Sequence, residues 1–220
     1  MKGRGDLYYI GLYLASLACW YSVFMLGLTM FRVSFKKHTS PILLSSNFMA
    51  CVSTSIHFFD WNAFTTIIQT ICFVVCLTLL FRFRILFSII LTLISNIYTM
   101  LFELLLYLSW SKIGQSNFVD IARENAILPS LFIWVINICT TALLYKFRLG
   151  FTLPSKYLDK HFIRLASPTF VLILTSGIMG VFSLTFALYH YIDWMLLNVF
   201  FVSMIVVFIA YLLYRDEWDH

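Results

Sequence analysis

Charge is what this chain has least of. Asp, Glu, Lys and Arg make up 11% of its 220 residues, against about 25% in an average soluble domain. With 61% apolar residues and a mean hydropathy of +0.91, the chain could not cover its own surface with polar groups. That excludes a soluble globular fold, and it excludes disorder for the same reason. Catalytic signatures are missing too. There is no HExxH, no GxSxG and no Walker glycine loop. No lysine falls inside an apolar stretch, which excludes a retinal Schiff base, and a single acid there cannot form the carboxylate pair of an intramembrane protease. Only residues 215–220 follow the last apolar stretch, so a kinase-like or nucleotide-binding output domain is not expected. The sequence therefore predicts no enzyme, no cofactor and no nucleic-acid partner.

The five cysteines, Cys19, Cys51, Cys72, Cys76 and Cys139, all lie in apolar stretches. Cys72 and Cys76 stand one helical turn apart, the wrong spacing for a CxxC redox pair, and their setting is too apolar for zinc. Free, buried thiols are the expectation, and no metal.

What is present is length of apolar sequence. Seven stretches reach the roughly 20 residues that cross a bilayer: 7–31, 39–59, 61–81, 85–110, 125–145, 165–192 and 194–214. Only the fourth carries a formal charge, Glu103. Hydrocarbon leaves no backbone polar group unsatisfied, and no alternating barrel pattern occurs, so all seven are predicted helices. The expected fold class is thus all-α: a single integral-membrane helical domain over residues 1–220, multi-pass in the cell membrane. Asp60 and Asp193 each divide an apolar run too long for one crossing, so a tight hairpin is expected at both.

Orientation follows from the basic residues. Eleven Lys and Arg fall in one set of loops and four in the other, which puts the amino terminus outside and the carboxyl terminus in the cytoplasm. Tyr8, Tyr9, Phe58, Phe59 and Trp61 then fall at the outer interface and Tyr145 at the inner one. Ser40 and Pro41 read as an N-cap with a first-turn proline opening the second helix, as do Ser167 and Pro168 for the sixth. The outer loop 111–124 is polar, and the inner segment 146–164 reads either as an interfacial helix or as an ordinary basic loop.

One pattern recurs. His57, Phe58, Phe59, Asp60 and Trp61 close the second span and open the third; His190, Tyr191, Ile192, Asp193 and Trp194 do the same between the sixth and seventh. Both read His-aromatic-x-Asp-Trp at an outer hairpin tip, which fits a parallel repeat of spans 1–3 in 5–7. The spacing from Pro to His differs, 16 residues against 22, and an ordinary outer turn attracts the same residues. His57 with Asp60 and His190 with Asp193 are candidate ligand-binding residues on the outer rim, because an imidazole beside a carboxylate titrates near neutral pH. The alternative is two solvated turns.

Within the spans, Glu103 is the other candidate, since an ionisable residue in a spanning helix is a functional hypothesis by default. Asn96 stands seven residues earlier, on the same helical face. Gln69, Asn137 and Asn198 are further polar positions, of the kind that more often serve helix packing.

From residue 61 to 150 the order is an Asp-Trp turn, a helix, a Phe-Arg-Phe-Arg turn, a helix ending at Ser-Lys-Ile-Gly, a polar outer segment, and a helix closing on Tyr-Lys-Phe-Arg-Leu-Gly-Phe. This order resembles the multi-helix transmembrane sensor modules that precede histidine-kinase domains in Gram-positive peptide-pheromone systems. The resemblance implies a bacterial sensor or regulatory subunit whose partners are the lipid bilayer and a separate cytoplasmic or membrane protein that carries the output. A small-solute transporter, or a transporter's membrane subunit, is the alternative. The absence of a central Gly or Pro break in most spans weighs mildly against it.

Overall fold

The computed structural model describes residues 6–59, 61, 65–114 and 127–150. Five helices make up that part: α1 (Asp6–Met30), α2 (Thr39–Phe58), α3 (Thr65–Leu79), α4 (Ile85–Gly114) and α5 (Ile127–Phe147). The protein is all-α over these residues. Two of the helices, over Leu7–Met30 and Ile127–Phe147, are long and apolar enough to cross a membrane. The sixth and seventh predicted spans, with His190, Asp193 and Asn198, lie outside the described residues, as does Asp60.

The structure departs from the sequence reading at the end of α4 and at the cap of α2. Helix α4 continues through residues 111–114, which were expected in the outer loop, because nothing in Ser-Lys-Ile breaks a helix before Gly114. Helix α2 begins at Thr39, and its N-cap position is His38 without a side-chain capping bond, so Ser40 is not the cap. The reason is the single 3-10 turn Phe35–His38, which runs directly into α2. Pro41 still falls in the first turn, where its missing N–H has no intrahelical acceptor to lose.

Helix α1 is the hub, packing against α2, α4 and α5, while α3 fills the space between α2 and α4. Val23, Phe24 and Leu28 of α1 meet Ile42 and Met49 of α2, Phe73 and Leu77 of α3, and Ile90 and Leu91 of α4 in one apolar core. Phe24 sets its ring edge-on to Phe73 at 4.5 Å and stacks on Phe81 at 5.7 Å, geometries that add to plain area burial. Gly27 is where α1 and α4 come closest. A Cβ there would stand 2.7 Å from Ser95 Oγ and 2.8 Å from Leu91 Cδ2.

Small polar residues share the interior with the apolar core, and large apolar residues cover much of the exposed face. Ser22, Ser45, Ser46, Ser88, Thr92, Ser95 and Asn137 are inside, while Leu43, Phe48, Ile71, Leu79, Phe132 and Val135 are exposed. Small hydroxyl residues let helices approach and bond, whereas large apolar groups outside gain nothing from water. Cys51 and Cys139 share that exposed surface and only Cys76 is fully buried, which corrects the expectation of five buried thiols; all five are free.

Candidate functional site

The amides expected to matter each reach across a helix boundary. Asn96 Nδ2 donates to Thr70 Oγ1 of α3 at 2.9 Å, Gln69 Nε2 to Ser53 Oγ of α2 at 3.0 Å, and Asn137 Nδ2 to Ser22 Oγ of α1 at 3.2 Å. Trp20 Nε1 of α1 donates to the same Ser53 Oγ at 2.9 Å, Tyr13 hydroxyl bonds Asn47 Oδ1, and the hydroxyls of Tyr98 and Thr140 bond α4 to α5. Taken in order, α1–α2, α2–α3, α3–α4, α4–α5 and α5–α1 each carry a side-chain hydrogen bond. The circuit is closed. Each such bond in a membrane bundle is worth about 0.6 kcal/mol on average, enough to fix register yet weak enough to exchange.

Some buried hydroxyls bond back to their own helix, as Ser46 does to the Ile42 carbonyl and Thr141 to that of Asn137. Ser88, Thr92 and Ser95 do not, nor does the Oδ1 of Asn137 have a donor. Their positions on α4 follow one helical face, at intervals of four and three residues.

Glu103 is half-buried on α4. Asn96 of the same helix bonds α3. His57 is half-buried in the last turn of α2. Its expected partner Asp60 lies outside the described residues, as do His190 and Asp193. Among the described residues, no three His, Cys, Asp or Glu side chains gather as a metal site.

Beside His57 the fold opens a groove of about 360 Å³ lined by Tyr9, Thr54, Ser55, Phe58 and Phe59. Aromatic rings form its wall in an unbroken chain: Tyr8 to Tyr9 at 5.6 Å, Tyr9 to Phe58 at 5.5 Å, Phe58 to Phe59 at 5.3 Å and Phe59 to Trp61 at 5.6 Å. The chain joins the start of α1 to the end of α2.

The opposite end is built differently. Helices α1, α3 and α5 all finish there, within three residues of Arg32, Arg82 and Arg148, and these arginines have positive φ of 52°, 57° and 53° respectively. This is the left-handed position that ends a helix, normally filled by glycine. Val33 N–H bonds the Leu28 carbonyl at 2.8 Å, and Leu149 N–H that of Leu144 at 3.0 Å, the six-to-one bonds of a Schellman cap. An L-residue in this conformation costs roughly 1–2 kcal/mol, offset in part by a cation at the negative end of a helix. Gly150, with φ +150°, closes the end of α5 onto α1: a Cβ there would stand 2.7 Å from the Met30 carbonyl and 3.1 Å from Arg32 Cγ. The turn after α1 folds beneath the bundle, setting Phe35 against Tyr145 at 5.7 Å and His38 against Phe81 and Phe83 at 5.9 and 5.8 Å.

Comparison with family models, with curated proteins and with solved structures gives no match for this chain. Any functional reading therefore rests on the bundle itself. Sequence reasoning passed over Asn47, Ser53, Thr70 and Thr140, the acceptors and donors that complete the circuit. It also passed over the recurrence of Phe-Arg-apolar at three helix ends, which was visible as a motif.

Proposed function

We propose that the chain is a seven-span membrane protein, amino terminus outside, acting as a non-catalytic sensor or regulatory subunit that passes an external signal to a separate cytoplasmic partner. The apolar exposed face of the bundle supports the membrane setting, for it carries Leu79 at 71% and Leu43 at 64% of their full accessibility while several serines and threonines lie buried. The observation that carries the sensor reading is the aromatic groove between α1 and α2. Helix α1 runs unbroken from that groove to the arginine cap at Arg32, some 25 residues and about 37 Å of rigid helix. A ligand favouring one spacing of Tyr9 and Phe58 shifts the population of α1 positions, and the far end of the same helix reports it. A separate protein reads that end.

The alternative, a small-solute transporter or its membrane subunit, draws on a different feature. Ser88, Thr92, Ser95 and the Asn137 carbonyl oxygen are unpartnered polar atoms within the bundle, as a polar route would require.

The test begins with orientation. Reporter fusions after Lys37, Arg84 and Arg148 should read cytoplasm and fusions at Asp60 and Gln115 outside; an inverted pattern sinks the proposal. A kinase gene adjacent on the chromosome favours the sensor, an ATPase gene the transporter. Glu103→Gln then probes the site, because the amide keeps the shape and removes the charge. Insertion should be intact and output sharply reduced, with Glu103→Asp partly tolerated. A silent Gln variant removes Glu103 from the ligand site and leaves it to the aromatic groove and the outer-rim residues His57, Asp60, His190 and Asp193.

A further inference from the structure

We propose that the three arginine caps form a rim that binds the phosphates of anionic phospholipids. The inference rests on the membrane setting of the bundle, and it holds whether the chain signals or transports.

The backbone argues first. At Arg32, Arg82 and Arg148 the chain adopts the conformation that glycine takes without strain, and three times the sequence places an arginine there. Cap geometry alone does not select arginine, because the Schellman bonds of Val33 and Leu149 involve main-chain atoms only. All three arginine side chains are exposed, and each directly follows a phenylalanine within three residues of the end of an apolar helix. That is the depth at which a spanning helix meets lipid phosphate. Packing places the caps together: Gly150 holds the end of α5 on the last carbonyls of α1 and on the Arg32 stem, and His38 ties the turn after α1 to Phe81 and Phe83, on either side of Arg82. Lys36, Lys37 and Arg84 stand on the adjoining turns, and no acid among the described residues lies at this end to neutralise them. A guanidinium meets a phosphate with two parallel N–H donors, which a lysine cannot reproduce. Water-borne phosphate would gain the same contacts, but only a lipid arrives already held at the level of the caps.

The glycine variants separate charge from backbone. Arg32→Gly, Arg82→Gly and Arg148→Gly keep the left-handed turn and remove the guanidinium. Purified full-length protein in neutral detergent micelles, where orientation has no meaning, is titrated with phosphatidylglycerol, with phosphatidylcholine and with inorganic phosphate, and the unfolding midpoint reads binding. Phosphatidylglycerol should raise the midpoint of the native chain and phosphatidylcholine should not. Each glycine variant should lose about fivefold in apparent affinity, and the triple variant about a hundredfold, at roughly one basic residue's attraction apiece. Its midpoint without anionic lipid should be unchanged or higher, and the triple lysine variant should fall between. Equal responses to the two lipids, or a full response from the triple glycine variant, would overturn the rim. So would inorganic phosphate that matches the lipid. A chain that stays in solution without detergent would instead overturn the membrane setting.

Discussion

The two ends of the bundle are held by different kinds of contact. At the aromatic end, Tyr9, Phe58, Phe59 and Trp61 touch ring to ring around an open groove, and Phe58, Phe59 and Trp61 are each more than half exposed. At the arginine end ring contacts such as Phe35 with Tyr145 are joined by main-chain ones: Schellman bonds close α1 and α5, and Gly150 lies against the Met30 carbonyl. Rings slide and tilt at little cost, whereas a backbone contact at close range has no rotamer to change. The difference teaches where this fold can adapt. Rearrangement begins at the aromatic end, and the close backbone contacts of the arginine end make the caps of α1 and α5 move together as one unit.

The largest expected effect is at Gly27, in the half of the bundle nearer the arginine end. A leucine there would drive a side chain into Ser95 and Leu91, both fully buried. Gly27→Leu should cost about 1–3 kcal/mol of stability, as overpacking does, read by thermal unfolding in detergent. An unchanged midpoint would mean that α1 and α4 are not closely packed, and the arginine half would lose its claim to rigidity.

Gly150→Ala tests the cap itself. The positive φ and the 2.7 Å approach of the Met30 carbonyl leave no relaxed place for a methyl group, so a loss of about 1–3 kcal/mol is expected. Phe58→Ala is the matching change at the aromatic end, where an exposed ring should be worth within about 0.5 kcal/mol. If Phe58→Ala destabilises as much as Gly150→Ala, the contrast between the ends is gone.

What was legible in the sequence was whatever depends on composition along one helix. Apolar runs located α1 to α5 within a few residues, because a helix surrounded by apolar groups needs no partner to define its extent. Gln69 and Asn137 were legible as packing amides for the same local reason, whereas Asn96 was read as a ligand-binding candidate beside Glu103. Their partners were not. Serine and threonine satisfy themselves on their own helix as readily as across to another, so nothing in the spacing of Ser53 or Thr70 marks it as the acceptor of a neighbour. The start of α2 at Thr39 was legible but its cap was not, because Ser40-Pro41 is a sound local signal, overridden by the turn at Phe35–His38 that docks His38 on Phe81. The groove at Tyr9 and Phe58 joins residues about fifty positions apart, and only helix packing brings them together.

The smallest expected effect concerns Trp20, midway between the ends. Its indole N–H donates to Ser53 Oγ, which also accepts from Gln69, so one hydroxyl ties α1, α2 and α3. Trp20→Phe keeps a ring facing Phe73, whose centroid lies 5.7 Å away, and removes the donor. Ser53 keeps the Gln69 bond, so no buried acceptor is stranded, and the loss should be near the membrane average of about 0.6 kcal/mol. Gln69→Leu alone should cost a similar amount. Together they strand Ser53, and the pair should cost more than the sum of the two single changes. A strictly additive cycle would show that the two bonds do not share an acceptor in solution. The middle of the bundle would then be a set of separate helix pairs, with no linkage to carry a shift from the groove to the caps.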